Sequence, residues 1–208
     1  MTEQPQLYLI APPDFDAESH GPALAAILDA APFACLRFAP ASRDEAAITR
    51  AADALREIAH ARDVAVVIAD HLMLAERLGL DGVHLSDGAR SVHKARKALG
   101  ADAIIGTFCA ASRHDGMTAG EAGADYVAFG PVGETALGDG TRAEPELFAW
   151  WSQMITLPVV AEGALTPEIV ADLAPVADFL AIGPEIWDAA DPKAALDSLL
   201  APLDVPAT

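Results

Sequence analysis

Positive charge is scarce in this sequence. Lys and Arg number 13 against 31 Asp and Glu, for a formal net charge of −18. A surface of that sign repels nucleic-acid phosphates and anionic membranes, so neither is expected as a partner. Cysteine is scarcer, with only Cys35 and Cys109. They end separate apolar runs and show no metal-ligand spacing, which reads as two small core residues. Aromatic residues are 6% of a chain that is 52% hydrophobic, so the core must be built from Ala, Val, Ile and Leu. No apolar run approaches the roughly 20 residues of a membrane helix. The N-terminal MTEQPQ has no basic region and the apolar run after it is short. No signal peptide is expected, and the simplest setting is cytoplasmic and reducing.

What is present is an alternation. Apolar runs rich in Val, Ile and Leu recur at 6–11, 33–39, 64–70, 82–85, 103–108, 126–130, 158–163 and 179–183. They are continuous, as expected of parallel strands covered on both faces. Segments with helical spacing lie between them at 44–60, 112–122, 168–174 and 192–200. Over 44–60, Ala47, Ile48, Ala51, Ala54, Leu55 and Ile58 form one broad apolar face. Thr166 before Pro167, and Asp191 before Pro192, pair an N-cap with a proline at the first helical position.

Eight βα units predict an α/β fold, a single-domain (β/α)8 TIM barrel over residues 1–200, with 201–208 as a C-terminal tail. A doubly wound open sheet is the other candidate. The count of eight strands favours the barrel, as does the lack of a GxGxxG opening a helix after the first strand.

In such a barrel the chemistry sits at the carboxyl ends of the strands. That rule selects Arg37, Asp70, His71, Ser86, Asp87, Phe108, residues 130–135, Glu162, Gly163 and residues 183–185. Glu162 lies within an apolar strand, where an unpaired carboxylate is costly. Arg37 is the strand-borne cation available to it, so a contact between the two across the barrel is expected. Asp70 reads either as a metal or ligand contact or as an N-cap for a helix from His71. The three tryptophans, Trp150, Trp151 and Trp187, are expected to pack outer helices. Gly138-Asp139-Gly140 reads as a flexible loop, a candidate lid, and Arg142 just beyond it is a cation that closure of the loop would carry to an anionic ligand. A purely structural barrel would instead have its mouth filled by side chains such as Phe38 and Phe108.

The stretches DGVHLSDGARSVHKARKALG, IIGTFCA, AGEAGADYVAFGPVGET, LPVVAEGALTPEIV and DFLAIGPEIWDAADP follow one another along the chain. In order and spacing they resemble the thiamine phosphate synthase family, which includes the TenI-type thiazole tautomerases. The resemblance spans roughly residues 7–200 and is most specific at GADYVAFGPV. It implies that hydroxymethylpyrimidine diphosphate is joined to thiazole phosphate with release of diphosphate. It also implies a (β/α)8 barrel, Mg²⁺ as cofactor and a small phosphorylated molecule as substrate, with a homodimer open to it. Residue by residue, Arg37 and His84 match the family's catalytic positions. Thr135, Gly130, Gly163 and Gly183 fall among the substrate-binding positions. Asp70 matches a Mg²⁺ aspartate; the second Mg²⁺ aspartate reads Ala89 here, and Asp87, two residues before it, could take its place only through a shift of the loop.

Other positions depart from that pattern. The second-strand Gln and Lys read Cys35 and Ala39, the Asn before Asp70 reads Ala69, and the fifth-strand Ser reads Phe108. The lysine of the loop after the sixth strand falls near Gly138. The second glycine of the seventh strand reads Ala164, preceded in that strand by Glu162, and the eighth-strand Ser reads Pro184, followed by Glu185. Each lost cation or donor removes about 2–4 kcal/mol of transition-state stabilisation. These departures open the alternative of a TenI-like or degenerate paralogue that binds a small phosphorylated ligand without making thiamine phosphate. The histidine of the TenI type is Pro131 here.

Overall fold

The computed structural model describes residues 4–203. Eight parallel strands close into a barrel in sequence order: β1 Gln6–Ile10, β2 Phe33–Phe38, β3 Ala65–Ala69, β4 Gly82–Leu85, β5 Ile104–Phe108, β6 Tyr126–Phe129, β7 Val159–Glu162 and β8 Phe179–Ile182. Each lies inside one of the eight apolar runs, and β1 pairs with both β2 and β8. The fold is the expected (β/α)8 barrel. Residues 204–208 of the expected tail lie outside the described residues.

The helices are α1 Ala17–Ala30, α2 Glu45–His60, α3 Leu72–Leu78, α4 Val92–Leu99, α5 Arg113–Glu121, α6 Pro145–Met154, α7 Pro167–Leu173, α8 Pro184–Trp187 and α9 Pro192–Leu200. α2, α5, α7 and α9 coincide with the four segments of helical spacing. On α2, Ile48, Ala52, Leu55 and Ala59 recur at three- and four-residue intervals and are buried against the sheet. The expected caps are formed: Thr166 accepts the Ile169 amide and Asp191 accepts the Ala194 amide. Trp151 is wholly buried in the strand–helix layer, and its indole donates to the Leu157 carbonyl at 2.8 Å. Cys35 and Cys109 are free and buried, as expected of core cysteines. Among the described residues no helix is long and apolar enough to cross a membrane.

Three aspartates close the amino-terminal face. Asp81, Asp125 and Asp178 precede β4, β6 and β8, and each accepts an amide of the preceding strand: Val66 at 2.6 Å, Ile105 at 2.7 Å and Val159 at 2.8 Å. This face carries stabilising contacts, which leaves the opposite mouth for a site.

The barrel interior holds Tyr8, Cys35, Val67, Tyr126, Ala128, Val160 and Ala181 as one packed cluster. His84, Gly106 and Tyr126 are register partners on three successive strands. A Cβ on Gly106 would stand 1.9 Å from the Tyr126 ring, so the missing side chain on β5 is what lets Tyr126 lie across the interior.

Candidate active site

A line of buried polar groups crosses the barrel interior. The Glu162 carboxylate on β7 accepts from the Arg37 guanidinium on β2, the contact expected from the sequence. Arg37 Nη1 lies 2.8 Å from His84 Nε2, His84 Nδ1 lies 2.9 Å from the Tyr126 hydroxyl, and that hydroxyl lies 2.7 Å from the Tyr8 hydroxyl. All five residues are buried, Glu162 to 1% exposure.

The roles along this line follow from chemistry. A guanidinium only donates, so His84 Nε2 accepts and its proton sits on Nδ1, directed at Tyr126. Burial, with Arg37 beside it, holds the His84 pKa well below the usual imidazole value, so the ring is neutral. Burial alone would lower the Arg37 pKa, but the Glu162 carboxylate together with the neighbouring Tyr8 and Tyr126 more than offsets this and the guanidinium stays charged. Burial pushes the Cys35 thiol up to about 12 and raises the phenols of Tyr8 and Tyr126. The interior therefore offers no thiolate or phenolate at neutral pH. What it offers is one held cation.

Above Arg37 and Glu162, at the carboxyl-terminal mouth, lies a cavity of about 540 Å³. Its walls include Ile10 at the end of β1, Thr135 on the loop after β6, Gly163 after β7 and Glu185 on α8. Phe38 and Phe108 do not line it: Phe38 packs in the main core, and Phe108 lies against the interior cluster, its ring 3.3 Å from where a Cβ on Gly138 would stand, so the cavity remains beside it. The Nε of Arg37 is buried with no partner, a donor left over at the floor.

The loop after β6 is folded down onto the end of β7. The Val132 and Gly133 amides donate to the Gly163 carbonyl at 3.1 and 2.9 Å. Gly163 has φ +93°, and a Cβ there would come within 3.0 Å of both Leu137 and Pro131. Glycine is what permits this contact. Gly130, joined to Pro131 by a cis peptide bond, is buried at the end of β6, and Gly183 is buried at the end of β8. Arg142, an exposed residue, donates to the Val132 carbonyl at 3.0 Å and braces the loop instead of lining the cavity.

The structure thus brings Arg37, Thr135 and Gly163 together around one cavity. His84 sits beneath, one hydrogen bond from Arg37. Asp70 and Asp87 stand apart from the cavity walls, at the ends of β3 and β4. Asp70 does not cap α3. Its φ is +57°, and its carboxylate accepts the amide and hydroxyl of Ser86 at 2.9 and 2.7 Å. Asp87 accepts from the Ser91 hydroxyl at 2.6 Å through one oxygen, while its other oxygen is buried with no partner. No three His, Cys, Asp or Glu gather to hold a metal among the described residues.

Glu185 has a definite role. One oxygen accepts the Leu165 amide at 3.1 Å and the other the Gly183 amide at 2.7 Å, which ties the ends of β7 and β8 together. Tyr8 and Tyr126 were not among the sequence candidates. Their signal was a phenol inside an otherwise apolar strand, since a buried tyrosine hydroxyl usually has a partner.

Comparison with known proteins places this architecture. The family model described as thiamine monophosphate synthase matches residues 7–185. The thiamine-phosphate synthase of Rhodospirillum centenum is 44% identical over 92% of this chain and 94% of its own. That of Erythrobacter litoralis is 45% identical over 74% of each chain. A solved structure of thiamine phosphate pyrophosphorylase from Pyrococcus furiosus superposes with a TM-score of 0.81 over 95% of this chain and 94% of that one, at 21% identity, a likeness of fold. Matched by the family model along most of its length and by close relatives over nearly all of it, the chain belongs to the thiamine monophosphate synthase family.

Proposed function

We propose that this chain couples a hydroxymethylpyrimidine diphosphate to a thiazole at the barrel mouth. The ring nitrogen of the thiazole forms the new bond to the pyrimidine methylene carbon. The carbon–oxygen bond to diphosphate breaks, and the diphosphate leaves with the electron pair. The observation that carries the reading is the open cavity over Arg37, in a chain so similar to proteins named thiamine-phosphate synthase. In this reading the charge of Arg37 and its unpartnered Nε–H stabilise the departing anion. Glu162 and His84 hold the guanidinium in place from two sides. Thr135 supplies a hydroxyl at the rim, and Gly163 keeps the wall low enough for a ring to enter.

Mg²⁺ belongs to this reading as well. The buried, unpartnered oxygen of Asp87 is the feature that fits a cation, and Asp70, bonded to the neighbouring Ser86, would share it. Two carboxylates suit an ion that keeps most of its waters and takes the rest of its ligands from a phosphate. When bound, it supplies charge neutralisation for diphosphate.

One observation favours a second reading, in which the chain binds its ligand without coupling. Among the described residues Arg37 is the sole cation lining the cavity, and Glu162 already neutralises it. The deciding experiment incubates the full chain with hydroxymethylpyrimidine diphosphate, Mg²⁺ and either thiazole phosphate or the thiazole alcohol. Chromatography then looks for thiamine phosphate or thiamine. Turnover with either acceptor supports coupling. No product from either, together with saturable binding of a thiazole, selects the second reading.

A further inference from the structure

We propose that Glu185 sets the charge of the ligand: it occupies the amide donors at the ends of β7 and β8, so the acceptor admitted carries a neutral hydroxyl group rather than a phosphate. This deepens the reading above and rests on its placing a thiazole in the cavity.

Both Glu185 oxygens are engaged, on the Leu165 and Gly183 amides. The two amides come from adjacent strand ends and converge on one planar anion. A carboxylate on backbone N–H groups makes charge-assisted bonds, the stronger kind. Because the carboxylate belongs to the chain itself, it is present at a high effective concentration, and an incoming anion must displace it. The residue between Gly183 and Glu185 is Pro184, which has no N–H to offer a second anion.

The rest of the wall points the same way. Glu134 and Asp188 also line the cavity, and the one cation lining it among the described residues, Arg37, is paired with Glu162. At the Glu185 end of the cavity a phosphate monoester would meet Glu134, Glu185 and Asp188, while the charge of Arg37 lies at the floor, where the reading above commits it to the diphosphate. A hydroxyl is different in kind, because it donates. Ionised carboxylates only accept and have lone pairs to spare, so an alcohol complements this wall where a phosphate opposes it. The coupling chemistry is indifferent to the substitution. The bond forms at the ring nitrogen and breaks at the diphosphate oxygen, and the hydroxyethyl arm neither gains nor loses a proton.

The test is calorimetric titration of the full chain and its Glu185→Ala and Glu185→Gln variants with three probes: hydroxyethylthiazole, its phosphate ester and inorganic phosphate. The wild type should bind the alcohol at least about tenfold more tightly than the ester and show no saturable phosphate binding. Glu185→Ala should reverse that order and gain phosphate binding, with Glu185→Gln shifting in the same direction. A wild type that prefers the ester, or variants whose preference is unchanged, overturns the proposal. If Glu185→Ala does not fold, Glu185→Gln decides alone by the same criterion. If neither thiazole binds the wild type, the thiazole reading falls. Inorganic phosphate then decides on Glu185 separately: binding gained by the variants supports the role assigned here, and none overturns it.

Discussion

Arg37 on β2 and Glu162 on β7 meet across the barrel interior as a buried ion pair, 125 residues apart in sequence. Neither charge would be tolerated there alone. Together they give the cavity a floor that is close to neutral yet polar, with His84 accepting from the guanidinium below. Desolvating two charges is expensive, and removing one partner is worse than never burying either.

Glu162→Ala should therefore destabilise the fold by about 3–5 kcal/mol, because it strands the buried guanidinium. The double replacement Arg37→Met with Glu162→Leu should recover most of that loss. Urea unfolding followed by circular dichroism measures both. A single variant as stable as the wild type would show that the pair is not buried as described.

His84 gives the protein a pH dependence of definite sign. In the unfolded chain the imidazole titrates near 6.5, while in the fold its pKa is held well below that. Between the two values the unfolded state binds a proton that the native state refuses. Stability from this group is thus complete above about pH 6.5 and is lost as pH falls, by up to about 1.4 kcal/mol per unit. Thermal unfolding between pH 7 and pH 5 should show this slope, and His84→Gln should flatten it. An equal slope in both proteins would assign the effect elsewhere.

Gly163→Ala combines two penalties. The backbone there has φ +93°, and the new methyl would come 2.9 Å from Leu137 and 3.0 Å from Pro131. The loss should be about 1–3 kcal/mol, and any ligand of the mouth should bind more weakly because the loop after β6 is pushed off the end of β7. A melting curve and a titration on the same variant test both halves. Unchanged stability would mean that the loop does not rest on Gly163.

Mg²⁺ with inorganic diphosphate should raise the melting temperature of the wild type, whereas diphosphate alone should not. At a hundredfold excess over Kd the gain would be about 2.7 kcal/mol. Asp87→Ala should lose most of it, and Asp70→Ala should follow. If the gain persists in both variants, the ion binds at other residues.

Much of the fold was legible in the chain. Continuous Val- and Ile-rich runs locate all eight strands because a parallel strand buried on both faces has no polar phase. Thr166-Pro167 and Asp191-Pro192 announce α7 and α9 because caps are local chemistry. α1 was not legible: Pro22 lies inside it and breaks a helical reading, yet packing of Leu24, Ile27 and Leu28 holds the helix. The candidate site was legible in part. Arg37 and Glu162 could be matched because each was a charge on an apolar strand with few partners to choose from. Tyr8 and Tyr126 look in sequence like ordinary strand residues.

The sequence by itself determined the barrel, the family and which residues stand at the strand ends, since periodicity, capping and motif spacing are read along the chain. Only the tertiary structure decided which polar groups satisfy one another. Glu185 reads in sequence only as the residue after a departure from the family pattern, but in the fold it bonds the Leu165 and Gly183 amides. Asp70 reads as a cap or a metal contact, but in the fold it holds Ser86. The reason is physical. A buried donor or acceptor must find a partner, and barrel closure, not sequence neighbourhood, decides which partners lie within three ångströms.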